Sequence, residues 1–279
     1  MIQSDAEREL QPLALVRSYS HYIRSFHLVN LTVVIPLYKG SSHIKPLWNS
    51  LIPHLISLPV TNIEILFVDD GSPDDAVDQL LALRRSVPKG LVVRIIRLAV
   101  NAGQQAAVYC GLEHAEGERV LTMDDDLEHP PSFIEEFLEQ SEGFDLSYAL
   151  PQLDKRTGAL KLGSRMRDLF FRKILGCPRD ITPGSFRVIS RQAVDAIIGR
   201  NGSFVYVSAL LLRSLPNMRI QNLYYSRLPE RGTGQQQSRF TTGGRIRLYL
   251  GLTLHYGLLF GIPPHLRSRK KAYIIKDEL

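Results

Sequence analysis

The chain has 279 residues, 44% of them hydrophobic, enough to bury a sizeable core as one large domain or two small ones. Its 34 Lys and Arg against 28 Asp and Glu leave a net charge of +6, a balance that suits anionic ligands, nucleic acid or an anionic membrane surface. Two cysteines, Cys110 and Cys177, exclude a disulfide framework and point to a reduced compartment, and no stretch reaches the about 18 consecutive apolar residues of a spanning helix.

Residues 1–30 read as an extension. Asp5, Glu7 and Glu9 stand where a secretory signal would be basic, so no signal peptide is expected. Leu13, Val16, Ile23 and Phe26 recur at near-helical spacing, which predicts an amphipathic helix, packed on the main domain or against a membrane or partner. The apolar run Leu31 to Pro36 predicts a buried parallel strand, followed by a loop at Leu37 to Ser42 and a helix through Leu47, Leu51 and Leu55. Ile63 to Val68 is the next strand, ending in Asp69-Asp70-Gly71-Ser72-Pro73, with Asp74-Asp75 placed to cap a helix carrying Val77, Leu80 and Leu83. A third strand runs from Leu91 to Leu98, and Asn101-Ala-Gly103 turns into a helix through Tyr109 and Leu112. The strand Arg119 to Thr122 leads into Met123-Asp124-Asp125-Asp126-Leu127-Glu128-His129-Pro130-Pro131. Strand–helix alternation at this spacing predicts an α/β fold, a mostly parallel Rossmann-type sheet with helices on both faces.

Beyond residue 140 the pattern loosens. Strands are expected over Phe144–Leu150, after Gly184-Ser185-Phe186 and over Met218–Arg227, with helices over Arg165–Leu175 and Arg191–Ile198. The basic residues concentrate here, after about residue 155. The tail from residue 241 reads as an appendage. Its apolar Leu248–Ile262 stretch and basic His265 to Lys271 flank suit a membrane interface or packing on the domain. The terminal Lys276-Asp277-Glu278-Leu279 matches an ER-retrieval address, read here as coincidence because nothing would direct the chain there.

The acidic run carries the chemistry. In an extended segment, side chains at i and i+2 share a side, so Asp124 and Asp126 are expected to face one point, with Glu128 next. In open α/β sheets, ligands bind outside the carboxyl ends of the strands. Converging hard oxygens there suit Mg²⁺ or Mn²⁺ bridging to phosphates. Asp69 and Asp70 repeat the logic at a second strand end, with turn and helix-cap chemistry as the alternative.

Five motifs stand together: Val33-Val-Ile-Pro-Leu-Tyr38, Phe67-Val-Asp-Asp-Gly-Ser72, Asn101-Ala-Gly103 with Ala107, Asp124-Asp-Asp-Leu-Glu-His-Pro-Pro131 and Gly184-Ser-Phe-Arg187. In this order and spacing they resemble family 2 glycosyltransferases, above all the polyprenyl-phosphate branch similar to dolichol-phosphate mannose synthase, over roughly residues 31–240. The resemblance implies a GT-A fold, a UDP- or GDP-sugar donor, Mg²⁺ or Mn²⁺, inversion at the anomeric carbon and a polyprenyl-phosphate acceptor. Carried over, Asp124, Asp126 and Glu128 would hold the metal, Glu128 standing where this branch usually has glutamine. Pro36, Tyr38, Asp69, Asp70, Asn101, Gly103 and Asp125 would line the nucleotide, and Arg187 and Arg231 would face the phosphates. Arginine suits that role because its fork binds two oxygens at once.

An acceptor phosphate would fall to Arg165, Arg167, Arg172 and Lys173, whose other reading is the solvated face of a helix. A hydroxyl acceptor would need a carboxylate base, for which Asp180 is available. The sequence departs from the family pattern at Lys39-Gly40, in place of Asn-Glu, at Pro151, in place of an arginine, and at Arg231-Gly-Thr-Gly234-Gln-Gln-Gln, in place of Arg-x-x-Gly-x-Ser-Lys. These changes bear on the sugar and the acceptor more than on the metal. The competing readings are the same chemistry onto a soluble or glycan hydroxyl, a non-catalytic nucleotide-sugar-binding module, and a receiver-type phosphorylation domain, which the chain exceeds in length. No nucleic-acid partner is expected. The expected location is cytoplasmic, peripheral on the cytoplasmic membrane face, with homo-oligomerisation left open.

Overall fold

The structure is a computed structural model that describes residues 30–60, 62–152, 172–173, 175–200, 204–215, 217–226, 254, 256 and 271–279. In chain order the elements are β1 (Leu31–Leu37), α1 (Ser41–Ser57), β2 (Ile63–Asp69), α2 (Ala76–Arg84), β3 (Leu91–Leu98), α3 (Gln104–His114) and β4 (Arg119–Thr122). A single 3-10 turn (Pro131–Phe133) leads into α4 (Ile134–Gln140), then β5 (Leu146–Pro151), β6 (Arg187–Ser190), α5 (Arg191–Asp195), α6 (Val207–Ser214), β7 (Ile220–Tyr225) and β8 (Ile275–Glu278).

The strands form one eight-stranded sheet in the order β7-β5-β6-β4-β1-β2-β3-β8. β1 to β4 are mutually parallel where they pair, β6 runs antiparallel to β4 and β5, and β8 runs antiparallel to β3. The chain steps outward from β1 to β2 and β3, then crosses back to place β4 on the other side of β1. The sheet therefore reverses its winding between β1 and β4, the position where open α/β sheets bind ligands.

β1 reads as an unbroken apolar run because both of its faces are covered. On one face Val33, Ile35 and Phe67 pack with Leu47, Leu51 and Leu55 of α1 and Phe137 of α4. On the other, Val34, Val68 and Ile96 pack with α3 and α6 through Ala107, Leu112 and Leu211. Burying each such side chain stabilises the fold by about 1.5–3 kcal/mol. Helix α3 lies especially close. A Cβ built on Gly111 would fall 2.3 Å from Val34 Cγ1, so only glycine lets this helix rest on β1.

Several expectations shift. β5 begins at Leu146 rather than Phe144, because the chain turns at Gly143 (φ +80°) and Phe144 donates its N–H back to Ser141. The Asp74-Asp75 pair does not cap its own helix. Asp74 Oδ2 instead accepts from Ser41 N at 3.0 Å, at the start of α1. The tail is not wholly an appendage. Residues 275–278 complete the sheet beside β3, and Leu279 exchanges both backbone hydrogen bonds with Ile95. Buried Tyr256 packs on the domain, where its carbonyl accepts from Arg213. The expected helices over 1–30 and Arg165–Leu175, apart from the last few residues of the latter, lie outside the described residues, as does most of 241–270. Among the described residues no helix is long and apolar enough to cross a membrane.

Candidate functional site

The loops after β1, β2 and β4 and the start of α3 meet at the reversal point of the sheet. β4 ends at Thr122, and Met123 N still bonds Val34 O across to β1. The acidic run then leaves the extended conformation: Leu127 takes a positive φ of 64°, and Glu128 N donates to Asp126 Oδ1 at 3.0 Å. This corrects the expected alternation of Asp124, Asp126 and Glu128 onto one side. In a tight turn successive side chains diverge, and Glu128 is exposed on the outside. Among the described residues no three His, Cys, Asp or Glu side chains converge as a preformed metal cage.

Asp124 is the most constrained of the acids. Its Oδ1 accepts from Gln104 Nε2 at 2.6 Å, at the first turn of α3, and its Oδ2 accepts from Ser185 Oγ at 2.9 Å, in the loop before β6. Its backbone N–H donates to His129 Nδ1 at 3.0 Å. The imidazole is buried and stacked on Phe186, with centroids 4.7 Å apart, and burial holds its pKa below the ordinary histidine value. Asp126 spends Oδ1 on the turn, while Oδ2 makes no hydrogen bond to a described residue.

Asp125 points away from this pair. Its Oδ2 lies 3.7 Å from His43 Nδ1 on α1, and burial pushes its carboxyl up to about 6. A Cβ on Gly40 would stand 2.6 Å from that oxygen, so the Gly40 departure from the family pattern makes the space that Asp125 fills. Asp125 thus holds the first loop against the acidic turn.

Asp69 and Asp70 are 1% and 2% exposed, and their carboxylates are turned inward. Gly71 takes φ +66°, folding Ser72 N back onto Asp69 Oδ1 at 3.2 Å. Asp70 accepts from Ala102 N and Gly103 N at 2.6 and 2.8 Å and so ties β2 to the start of α3. Burial raises both carboxyls above the usual aspartate range. Turn and cap chemistry accounts for both residues. Pro36 is buried within β1 opposite Val68, whereas Tyr38, just beyond the strand, is 39% exposed, with Lys39 Nζ 5.3 Å from its ring centroid. Asn101 is exposed and Gly103 half-buried beside them.

Arg187 does not line the cleft, contrary to expectation. The alternation of β6 sends Phe186 and Val188 to the α1 face and Arg187 to the α3 face, where it is 1% exposed. Its Nε donates to Thr122 Oγ1 and its Nη1 to Ser208 Oγ, each at 3.0 Å, while Nη2 has no hydrogen-bond partner among the described residues. The Asp124 carboxylate still lies within electrostatic reach of the guanidinium. Arg172 and Lys173 are exposed, Arg172 donating to Arg179 O at 2.9 Å, and Asp180 is exposed. Arg165, Arg167 and Arg231 lie outside the described residues.

The sequence reading missed Gln104, Ser185, His129 and His43. Ser185 and His129 stood inside quoted motifs, and the signal was their polarity beside apolar neighbours. Gln104 follows Gly103 at the first position of a helix, where side chains reach the strand ends.

The family model described as "Glycosyl transferase family 2" matches residues 32–198, more than half of the chain. Undecaprenyl-phosphate 4-deoxy-4-formamido-L-arabinose transferase of Erwinia tasmaniensis is 29% identical over 181 residues, 64% of this chain and 55% of that protein. Dodecaprenyl-phosphate galacturonate synthase of Rhizobium johnstonii is 33% identical over 150 residues, 52% of this chain and 40% of that protein. The chain spans about half the length of the curated relatives it matches. The fold is that of the GT-A glycosyltransferases. Glucosyl-3-phosphoglycerate synthase from Mycobacterium tuberculosis, solved in complex with Mn²⁺, uridine-diphosphate and glucosyl-3-phosphoglycerate, aligns with a TM-score of 0.54 at 20% identity, covering 82% of this chain and 81% of that one. With the family match over its sheet and acidic turn, the chain belongs to glycosyl transferase family 2.

Proposed function

We propose that the chain transfers a sugar from a nucleoside-diphosphate sugar to a polyprenyl phosphate, with inversion and with Mg²⁺ or Mn²⁺. The observation that carries this reading is the pair Asp124 and Asp126 at the reversal point of the sheet, one braced by three side chains and the other offering an oxygen. Two carboxylates without a closed cage suit Mg²⁺, which commonly keeps waters and takes its remaining ligands from substrate phosphates. Asp124 and Asp126 would hold that ion. When bound, the ion neutralises the charge that develops on a departing diphosphate.

The residues of the chain do the rest. Tyr38, Asn101 and Gly103 border the nucleotide, on a wall shaped by Pro36, Asp69, Asp70 and Asp125. Arg187 adds a fixed positive charge behind Asp124, and Arg231 is assigned to the diphosphate. In the transfer, an acceptor phosphate oxygen bonds to the anomeric carbon from the face opposite the leaving group. The bond to the diphosphate oxygen breaks, and its electron pair leaves with the nucleotide. An anionic acceptor needs positioning rather than a general base, and Arg172 and Lys173, with Arg165 and Arg167, supply cations for it. Polyprenyl-phosphate transferases among its relatives support this acceptor. The protein then works at a membrane surface.

The test is thermal stabilisation by a panel of UDP- and GDP-sugars with and without Mn²⁺, since a ligand that binds only the folded state raises its stability. One donor is expected to stabilise the protein in a metal-dependent way and then to label a polyprenyl phosphate. Metal-independent stabilisation, or none, refutes the donor assignment. Labelling of a soluble hydroxyl alone refutes the acceptor.

A further inference from the structure

Three hydrogen bonds form a closed ring around Asp124. Its backbone N–H donates to His129 Nδ1 at 3.0 Å. A ring nitrogen that accepts from an N–H carries no proton, so the proton of the neutral imidazole sits on Nε2. Nε2 lies 3.5 Å from Ser185 Oγ, which in turn donates to Asp124 Oδ2 at 2.9 Å. Starting from the Asp124 amide, every donor points the same way around the ring, and the circuit ends on the carboxylate of the same residue. His129 also stands 3.8 Å from that oxygen directly. The imidazole is only 8% exposed and is stacked on Phe186, so it has no freedom to turn over.

We propose that His129 is a positioning residue, acting through Ser185, that fixes the Asp124 carboxylate in the orientation needed to take a divalent cation. The ring has one polarity, and that polarity delivers an acceptor oxygen at Asp124. The Nδ1–H tautomer would set its proton against the Asp124 N–H and break two of the three bonds. Gln104, on Oδ1, secures the other oxygen from α3. Partners of this kind orient ligating carboxylates, and their loss weakens metal binding by about 10–100-fold. The inference rests on the metal reading above.

Two measurements on the full chain test it. Long-range ¹H–¹⁵N correlation of ¹⁵N-histidine protein without metal should show His129, identified by its absence in His129→Phe, as the neutral Nε2–H form. An Nδ1–H or cationic ring overturns the proposal. Titration of Mn²⁺ followed by electron paramagnetic resonance should show weakening of about 10–100-fold in both His129→Phe and Ser185→Ala. His129→Gln, which keeps one acceptor and one donor, should recover part of it. Wild-type Mn²⁺ affinity in folded His129→Phe and Ser185→Ala overturns the proposal. If the wild-type protein binds no Mn²⁺, the metal reading fails, and this proposal fails with it whatever the tautomer.

Discussion

Gly111→Ala tests whether the packing of α3 on the sheet also positions the site. The new Cβ would fall 2.3 Å from Val34 Cγ1 and 3.2 Å from Val68 Cγ2. Both valines are fully buried, and β-branched side chains have little χ1 freedom with which to yield. Carbon atoms rest about 3.5–4.0 Å apart, so the helix must withdraw by roughly 1.5 Å. Overpacking of this kind costs about 1–3 kcal/mol, and alanine regains about 1 kcal/mol of helix propensity over glycine, for a net loss of up to about 2 kcal/mol. The same withdrawal acts at the first turn of α3. Gln104 Nε2 sits 2.6 Å from Asp124 Oδ1 and Gly103 N 2.8 Å from Asp70 Oδ2, and both would pass beyond hydrogen-bonding distance. Urea denaturation should show a lower midpoint with an unchanged slope, and metal-dependent donor binding should weaken in parallel. A variant as stable as wild type with the same donor affinity refutes the packing argument. Lost stability with unchanged donor affinity refutes the link from packing to site.

Arg187→Met removes a buried cation but leaves Thr122 Oγ1 its bond to Ser185 O, so the loss should stay at about 1–3 kcal/mol. Arg187→Lys should be less stable than Arg187→Met, because an ammonium is more strongly hydrated and lacks the planar fork; the reverse order in denaturant midpoints counts against this account. Asp125 binds its proton more tightly in the folded protein, with a pKa of about 6 against the ordinary 3.8. The wild type should therefore lose stability as pH rises between those values and stay lower above them. Asp125→Asn should remove that slope, so in chelator the variant's melting temperature gains on wild type across this window; a constant difference refutes it. Cys110 is fully buried with its thiol pushed up to about 12, so it should resist alkylation in native protein and react only on unfolding, as mass spectrometry can check.

The strands from β1 to β4 were legible because each is a short apolar run bounded by turn residues, and burial on both faces of a parallel sheet demands such runs. The location of the site followed, since Asp124 and Asp69 sit at the ends of those runs. The directions of the side chains did not follow. Whether Asp126 continues the alternation of β4 depends on the positive φ at Leu127, a residue type that rarely adopts it. The inward turn of Asp70 depends on N–H groups more than 30 residues away in sequence. Arg187 looked like a phosphate ligand by residue type, and only the pairing of β6 with β4 and β5 showed which face it takes. β8 was missed because Ile-Lys-Asp-Glu has no apolar run. It is held instead by backbone pairing and by Arg94, which joins Glu278 to Glu64.

β8 also sets an order on biosynthesis. Arg94 and Glu278 are 184 residues apart, so the outer edge of β3 stays open while the rest of the sheet emerges from the ribosome. An uncovered strand edge recruits other strands, including those of neighbouring nascent chains. Closure by a segment this late in the chain makes residues 275–279 a guard against self-association, and removing them endangers solubility before it touches chemistry.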